Sequence, residues 1–91
     1  MVKKVSLAPK LDTAASADLR KALVEAQGDD LVLDASAVEM IGGQCLELLL
    51  TASVLWQQAG HSLTLENTSE QMTDDLGRFG ITPDGLMEYA A

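Results

Sequence analysis

Cys45 is the side chain whose position most suggests nucleophilic chemistry. The pattern places it in the first turn of a helix, where the helix dipole can lower the pKa of a thiol. A thiol nucleophile also needs a base, and the single histidine, His61, follows the far end of the same helix, roughly 24 Å away at about 1.5 Å per residue. We therefore predict a buried Cys45, a solvated turn at His61 and no enzymatic activity. One cysteine and one histidine also cannot complete a zinc site, so no metal or cofactor is predicted.

Acidic residues and a glycine pair offer two other kinds of site. The carboxylates occur as Asp29–Asp30 and Asp74–Asp75, with Asp34 and Glu39 on either side of a short connection. Acid–base catalysis requires one carboxylate in an apolar cleft, and no such cleft is evident in the pattern, so we predict solvated or capping roles. Gly42–Gly43 at a helix start could present free N–H groups to an anion, but a tight turn explains the pair without a ligand and is the interpretation we favour.

The charge of the chain argues against nucleic acid as a partner. Fourteen acidic residues against 6 basic ones give a formal net charge of −8. The basic residues are concentrated near the start of the chain, at Lys3, Lys4, Lys10, Arg20 and Lys21, with Arg78 the exception. Because nucleic-acid affinity comes largely from Lys and Arg replacing counterions, we exclude that class, and an anionic membrane surface is disfavoured for the same reason.

Length and cysteine content predict one cytoplasmic domain. Ninety-one residues suffice for a single core, so residues 1–91 are interpreted as one domain. One cysteine forms no internal disulfide, which favours a reducing compartment. The first ten residues lack an apolar run of signal-peptide length, and the longest apolar stretch, residues 46–56, is too short to span a bilayer.

Hydrophobic periodicity predicts strands that alternate with helices. Asp12 or Thr13 is expected to cap the first helix and Ser69 the third, while Pro83 opens a last helical turn that carries Leu86, Met87 and Tyr89. The predicted order is a strand over 2–7, a helix over 14–26, a strand over 31–33, a helix from 43 or 44 to about 59, a strand over 62–66 and a helix over 70–78, with Gly28, Gly60 and Gly80 as helix stops. The run over 31–33 is typical of an interior strand that is buried on both sides or flanked by other strands.

The second helix is unusually apolar. Projected at about 100° per residue, its core-facing arc is expected to contain Cys45, Leu48, Leu49, Ala52, Leu55, Trp56 and Ala59. Leu46, Leu50 and Val54 continue the apolar surface round one side. We expect this side either to be covered by the first or third helix or to be an exposed docking patch.

Residues 31–50 resemble the signature segment of the STAS fold, which is found in anti-sigma factor antagonists. In that family an Asp-Ser-Ser-Gly-Leu helix start carries a regulatory phosphoserine. Aligned from Ile41, the family's Asp falls on Gly42, its phosphorylated Ser on Gly43, its second Ser on Gln44 and its Gly on Cys45. The resemblance covers nearly the whole chain. It implies an α/β, STAS-like fold with a mixed, mostly parallel sheet of about four strands covered by helices, and the loss of the phosphoacceptor at Gly43.

A closer resemblance is to the small STAS proteins of alphaproteobacterial chemotaxis gene clusters. It rests on residues 34–39, the Ile41–Gly42 step followed by Gln44–Cys45, and residues 79–81. It implies a non-catalytic interaction module that binds a larger signalling protein, a kinase or a receptor–kinase assembly, and a loop-holding role for Asp34. The chain also resembles the STAS subunit that supports the ATPase of a lipid-trafficking ABC transporter, which is the alternative.

The predicted partner-binding surface is the helix that STAS proteins use to meet their partners. It comprises the start and one side of the second helix: Gly42, Gly43, Gln44, Leu46, Glu47, Leu50 and Val54.

Overall fold

The computed structural model describes residues 2–87 and confirms the predicted α/β fold. Its elements are β1 (Val2–Ser6), β2 (Lys10–Leu11), a 3-10 turn (Thr13–Ala15), α1 (Ser16–Glu25), β3 (Asp30–Asp34), β4 (Met40–Ile41), α2 (Gly43–Gln58), β5 (Leu63–Glu66), α3 (Glu70–Arg78) and α4 (Pro83–Met87). Leu86 and Met87 lie in α4 as predicted, whereas Tyr89 lies outside the described residues.

The strands form two parallel sheets. The larger has the order β1-β3-β5, with Val32 opposite both Lys4 and Thr64, and the smaller pairs β2 with β4. The central position of β3 agrees with one of the two alternatives for this strand, since β1 and β5 flank it. Leu31 and Leu33 are buried under the helices, but Val32 points to the opposite face and is only half-buried. Burial on both sides, the other alternative, is therefore wrong for this strand.

Local signals fix most of the helix ends. Asp12 caps the 3-10 turn, because its Oδ1 accepts a hydrogen bond from the Ala15 N–H at 3.1 Å, so regular α-helix begins at Ser16 rather than at residue 14. Ser69 caps α3, since its Oγ accepts from the Met72 N–H at 3.1 Å. The predicted stops Gly28, Gly60 and Gly80 have positive φ angles of 95°, 76° and 75°, a conformation that favours glycine.

The buried face of α2 is rotated relative to the predicted one. Leu46 and Ser53 are buried, while Leu55 is 44% exposed and Ala59 is exposed, so the assignment of Leu55 and Ala59 to the core is wrong. The physical reason lies in α4. The Ser53 hydroxyl donates to the Met87 carbonyl at 2.9 Å, which places α4 against this side of α2.

Candidate functional site

The connection between β3 and α2 is held by backbone hydrogen bonds along its length. Its donors and acceptors are Ala35 N to Glu66 O (2.9 Å), Val38 N to Ala35 O (3.2 Å), Glu39 N to Pro9 O (2.7 Å) and Gly42 N to Leu11 O (2.9 Å). Ala35 and Val38 are also buried in the core. Residues 35–42, which we call the β3–α2 connection, therefore reach the start of α2 on a defined path.

The side chains of Asp34 and Ser69 fix the same connection. Asp34 Oδ1 accepts from the Ser36 N–H at 2.9 Å, and this hydrogen bond is the main reason that the pKa of Asp34 lies below its usual value. The Ser69 hydroxyl donates to the Val38 carbonyl at 2.5 Å. Asp34 thus holds the loop, as the resemblance implied, and it does not have the raised pKa of a general acid.

Asp75 ties the connection to α3. Its Oδ2 accepts from the Ile41 N–H at 3.0 Å, and its Oδ1 lies 3.2 Å from Arg78 Nη1. One member of the acidic pair at 74–75 therefore has a structural role.

Gly42 and Gly43 lie at the start of α2. Gly42 is the N-cap residue, with extended φ and ψ angles of −94° and 171° and no side-chain cap, and Gly43 is the first helical residue. A Cβ atom at Gly43 would meet only the Phe79 ring, with Cε1 at 3.9 Å, an ordinary van der Waals distance. Neither residue has a positive φ. The first turn of α2 thus has room for a side chain at position 43, and its backbone does not require glycine there.

The seven predicted partner-binding residues differ in exposure. Gly43, Gln44 and Glu47 are exposed, and Gly42 is half-buried in the cap position. Leu46 is buried in the core, which contradicts its place on an open patch. Leu50 and Val54 are half-buried, and Leu50 packs against the core. The exposed part of the predicted surface is therefore the first turn of α2.

Sequence reasoning missed an apolar groove on the other side of α2. Val24 of α1 is 55% exposed, and Leu48 and Leu55 of α2 line the same groove. The available signal was Val24, an apolar residue beside the buried Leu23 of its own helix.

The two residues considered for catalysis are in structural positions. Cys45 is fully buried, its Sγ contacts the Asp12 carbonyl oxygen at 3.4 Å, and burial and the nearby Asp12 charge raise the pKa of its thiol. This environment suits a buried structural residue rather than a thiolate nucleophile. His61 Nδ1 lies 3.5 Å from Asp30 Oδ1.

Within residues 2–87, no group of three His, Cys, Asp or Glu side chains could hold a metal ion.

Comparison with known proteins identifies the family. Neither the curated proteins nor the solved structures gave a match. Among the described residues, no helix has both the length and the apolar character needed to cross a membrane. A family model described as "Mlab, STAS domain" matches residues 2–87, nearly the whole chain. With the α/β fold and the parallel sheets described above, this match means that the chain belongs to the STAS domain family.

Proposed function

We propose that this chain is a non-catalytic protein–protein interaction module of cytoplasmic bacterial signalling, associated with chemotaxis. It would dock through the start of α2 on a larger kinase or receptor–kinase assembly. STAS domains are generally non-catalytic binding modules, which supports the general part of the proposal. The resemblance to the small STAS proteins of chemotaxis gene clusters supports the specific part.

One observation carries the proposal, the anchored approach of the β3–α2 connection to the first turn of α2. The Ser69 hydroxyl donates a hydrogen bond to this connection and the Asp75 carboxylate accepts one from it, so little backbone freedom is lost when a partner binds it. Gly43, Gln44 and Glu47 form the exposed surface that follows. Phe79 lies beside Gly43 and is 48% exposed, and aromatic side chains in such positions are frequent anchors of protein interfaces.

We further propose that this surface works without a phosphoserine switch. Gly43 occupies the position that matches the family phosphoserine in our alignment, and glycine has no hydroxyl to accept a phosphate. Incubation with a cognate kinase and ATP should leave the peptide around Gly43 unmodified. Intact-mass measurement and peptide mapping test this, and a stoichiometric phosphate on Ser36 would contradict it.

A binding experiment tests the docking surface with matched variants. The full chain is tagged and purified from native cells, its partner is identified by mass spectrometry, and the two are then titrated in vitro. Gly43→Tyr places a bulky side chain on the proposed surface, and Gln58→Tyr places the same side chain at the exposed far end of the same helix. We expect Gly43→Tyr to weaken partner binding at least about tenfold and Gln58→Tyr to leave it unchanged, with equal melting temperatures.

Two results would contradict the proposal. Equal binding by both tyrosine variants would mean that the partner does not contact the start of α2. Specific recovery of an ABC ATPase, with no kinase or receptor protein, would favour the alternative of a STAS subunit in a lipid-trafficking ABC system.

A further inference from the structure

The groove between α1 and α2 is an open and mainly apolar surface. It has a volume of about 250 Å³ and is lined by Leu23, Val24, Leu48, Ala52 and Leu55, with Arg20 at its rim. We call it the α1/α2 groove. Leu23 and Ala52 are buried and form its floor, whereas Val24 and Leu55 stand on its two walls.

Val24 and Leu55 leave exposed apolar surface on both sides of this groove. They are 55% and 44% exposed, and they account for two of the four large hydrophobic side chains that are exposed within residues 2–87. A pair of exposed apolar residues that face one groove loses water from both walls when a single segment binds. A ligand that fills the space between the two helices would therefore contact both Val24 and Leu55.

Arg20 gives the groove a charge opposite to that of the chain. It is the one charged residue along this part of the groove, and it forms no ion pair within residues 2–87. Arg20 also lines the wider end of the groove, towards the start of α2, where Lys21, Glu25 and Glu47 join it. Because the chain as a whole carries −8, a positive group beside exposed apolar side chains favours an acidic and apolar ligand.

We propose that the α1/α2 groove binds an amphipathic helix of a partner protein, with an apolar stripe against Val24 and Leu55 and an Asp or Glu paired with Arg20. Helices bind in such grooves through residues at i, i+3, i+4 and i+7. The ten residues of α1 span ~15 Å, which matches about three turns of a bound helix. An arginine guanidinium can pair with both oxygens of one carboxylate, which fixes the register of that helix.

A second copy of this chain is a less suitable occupant. If the narrow part of the groove paired with itself across a twofold axis, both copies would bring Arg20, its one charged side chain, to the same apolar contact. The proposal goes beyond docking through the start of α2 and does not depend on it.

Selection from a displayed library of random 16-residue peptides against the folded full chain tests the proposal. We expect the enriched peptides to have helical apolar spacing and at least one acidic residue beside the apolar stripe. A fluorescent copy of the most enriched peptide is then titrated with the chain. Leu55→Ser should weaken its binding about tenfold, and Arg20→Gln should weaken it several-fold and abolish its salt dependence.

Matched controls keep these results interpretable. Gln57→Ser changes an exposed residue on another face of α2 and should bind the peptide as the unmodified chain does. Val24→Ser removes apolar surface from the opposite wall of the groove and should repeat the loss seen for Leu55→Ser, while thermal melts verify folding. Gly43→Tyr should bind the peptide normally, so failure of this proposal is distinguishable from failure of docking at the start of α2.

Three results would overturn the proposal. Enrichment of basic peptides would show that Arg20 does not select the ligand. Equal affinity for Leu55→Ser and Gln57→Ser would place the binding site elsewhere. A concentration-dependent dimer in sedimentation that disappears in Leu55→Ser would show that a second copy covers the groove.

Discussion

Replacing Ser69 by alanine should destabilise the domain by about 2 kcal/mol, because one hydroxyl makes two contacts that alanine cannot replace. As the N-cap of α3, its Oγ accepts from the Met72 N–H at 3.1 Å, and loss of a serine cap costs about 1 kcal/mol. The same hydroxyl donates to the Val38 carbonyl at 2.5 Å, and Val38 is buried. Leaving a buried carbonyl without this donor costs about 1 kcal/mol more.

Urea unfolding followed by the fluorescence of Trp56 measures this change. Trp56 is buried and its indole N–H donates to the Asp29 carbonyl at 2.9 Å, so its emission should change on unfolding. We expect the midpoint to fall without a change in the m value, and the melting temperature to fall by about 8–16 °C, at about 4–8 °C per kcal/mol for a domain of this size. Ser69→Thr keeps the hydroxyl, so its free energy of unfolding should lie within about 0.5 kcal/mol of that of the unmodified chain.

Ser16→Ala is the matched control. The Ser16 hydroxyl also donates to a backbone carbonyl, that of Thr13 at 2.7 Å, but this contact is exposed and water can replace it. The control should cost less than about 0.5 kcal/mol. If Ser69→Ala costs no more than Ser16→Ala, the hydroxyl does not anchor the β3–α2 connection and the argument for a pre-organised docking surface is refuted.

Four other perturbations test separate parts of the structure. Leu50→Glu should lower the free energy of unfolding by about 2 kcal/mol or more, because Leu50 packs against the core, whereas Leu55→Glu should change it by less than about 0.5 kcal/mol. Denaturant unfolding measures both, and the reverse order would contradict the orientation of α2. Gly42→Asp should stabilise the fold by about 0.3–1 kcal/mol by capping α2, and a lower melting temperature would contradict the N-cap assignment. The pKa of Asp34 is lowered in the folded state, so its stabilising contribution is present above its usual pKa of 3.8 and is lost as the pH falls through the lower folded value. Asp34→Asn should therefore weaken the pH dependence of the free energy of unfolding below about pH 4. An unchanged pH profile would refute this. Cys45 should react with a thiol reagent at pH 8 only after unfolding, since it is buried and its pKa is raised, and rapid native-state labelling would show an accessible thiol.

Sequence patterns predicted the elements that carry strong local signals. The cap at Ser69 and the stops at Gly28, Gly60 and Gly80 lie where the structure has them, because capping and positive φ depend on a few neighbouring residues. Asp12 caps the 3-10 turn that precedes α1 rather than α1 itself, whose N-cap is Ala15. The β2–β4 pair was missed for the opposite reason. Each strand has two residues, too few for hydrophobic alternation to be recognised.

The orientation of α2 could not be predicted from its sequence. Apolar residues occur on nearly every face of this helix, so its periodicity does not identify one buried side. Packing against α1 and α4 determines which side of α2 is buried. The hydrogen bond from Ser53 to Met87, for example, joins residues that are distant in sequence. For this reason Leu46 was placed on the candidate surface and Leu55 in the core, while the structure exchanges them.

A photo-crosslinking amino acid placed at position 43 in the native cell tests the central claim most directly. The same amino acid at position 58 is the control, because both positions are exposed and lie at opposite ends of α2. We predict that position 43 forms an adduct with a kinase or a component of a receptor–kinase assembly and that position 58 does not. An adduct from position 58 alone, or no adduct from position 43 in a folded chain, would contradict docking through the start of α2.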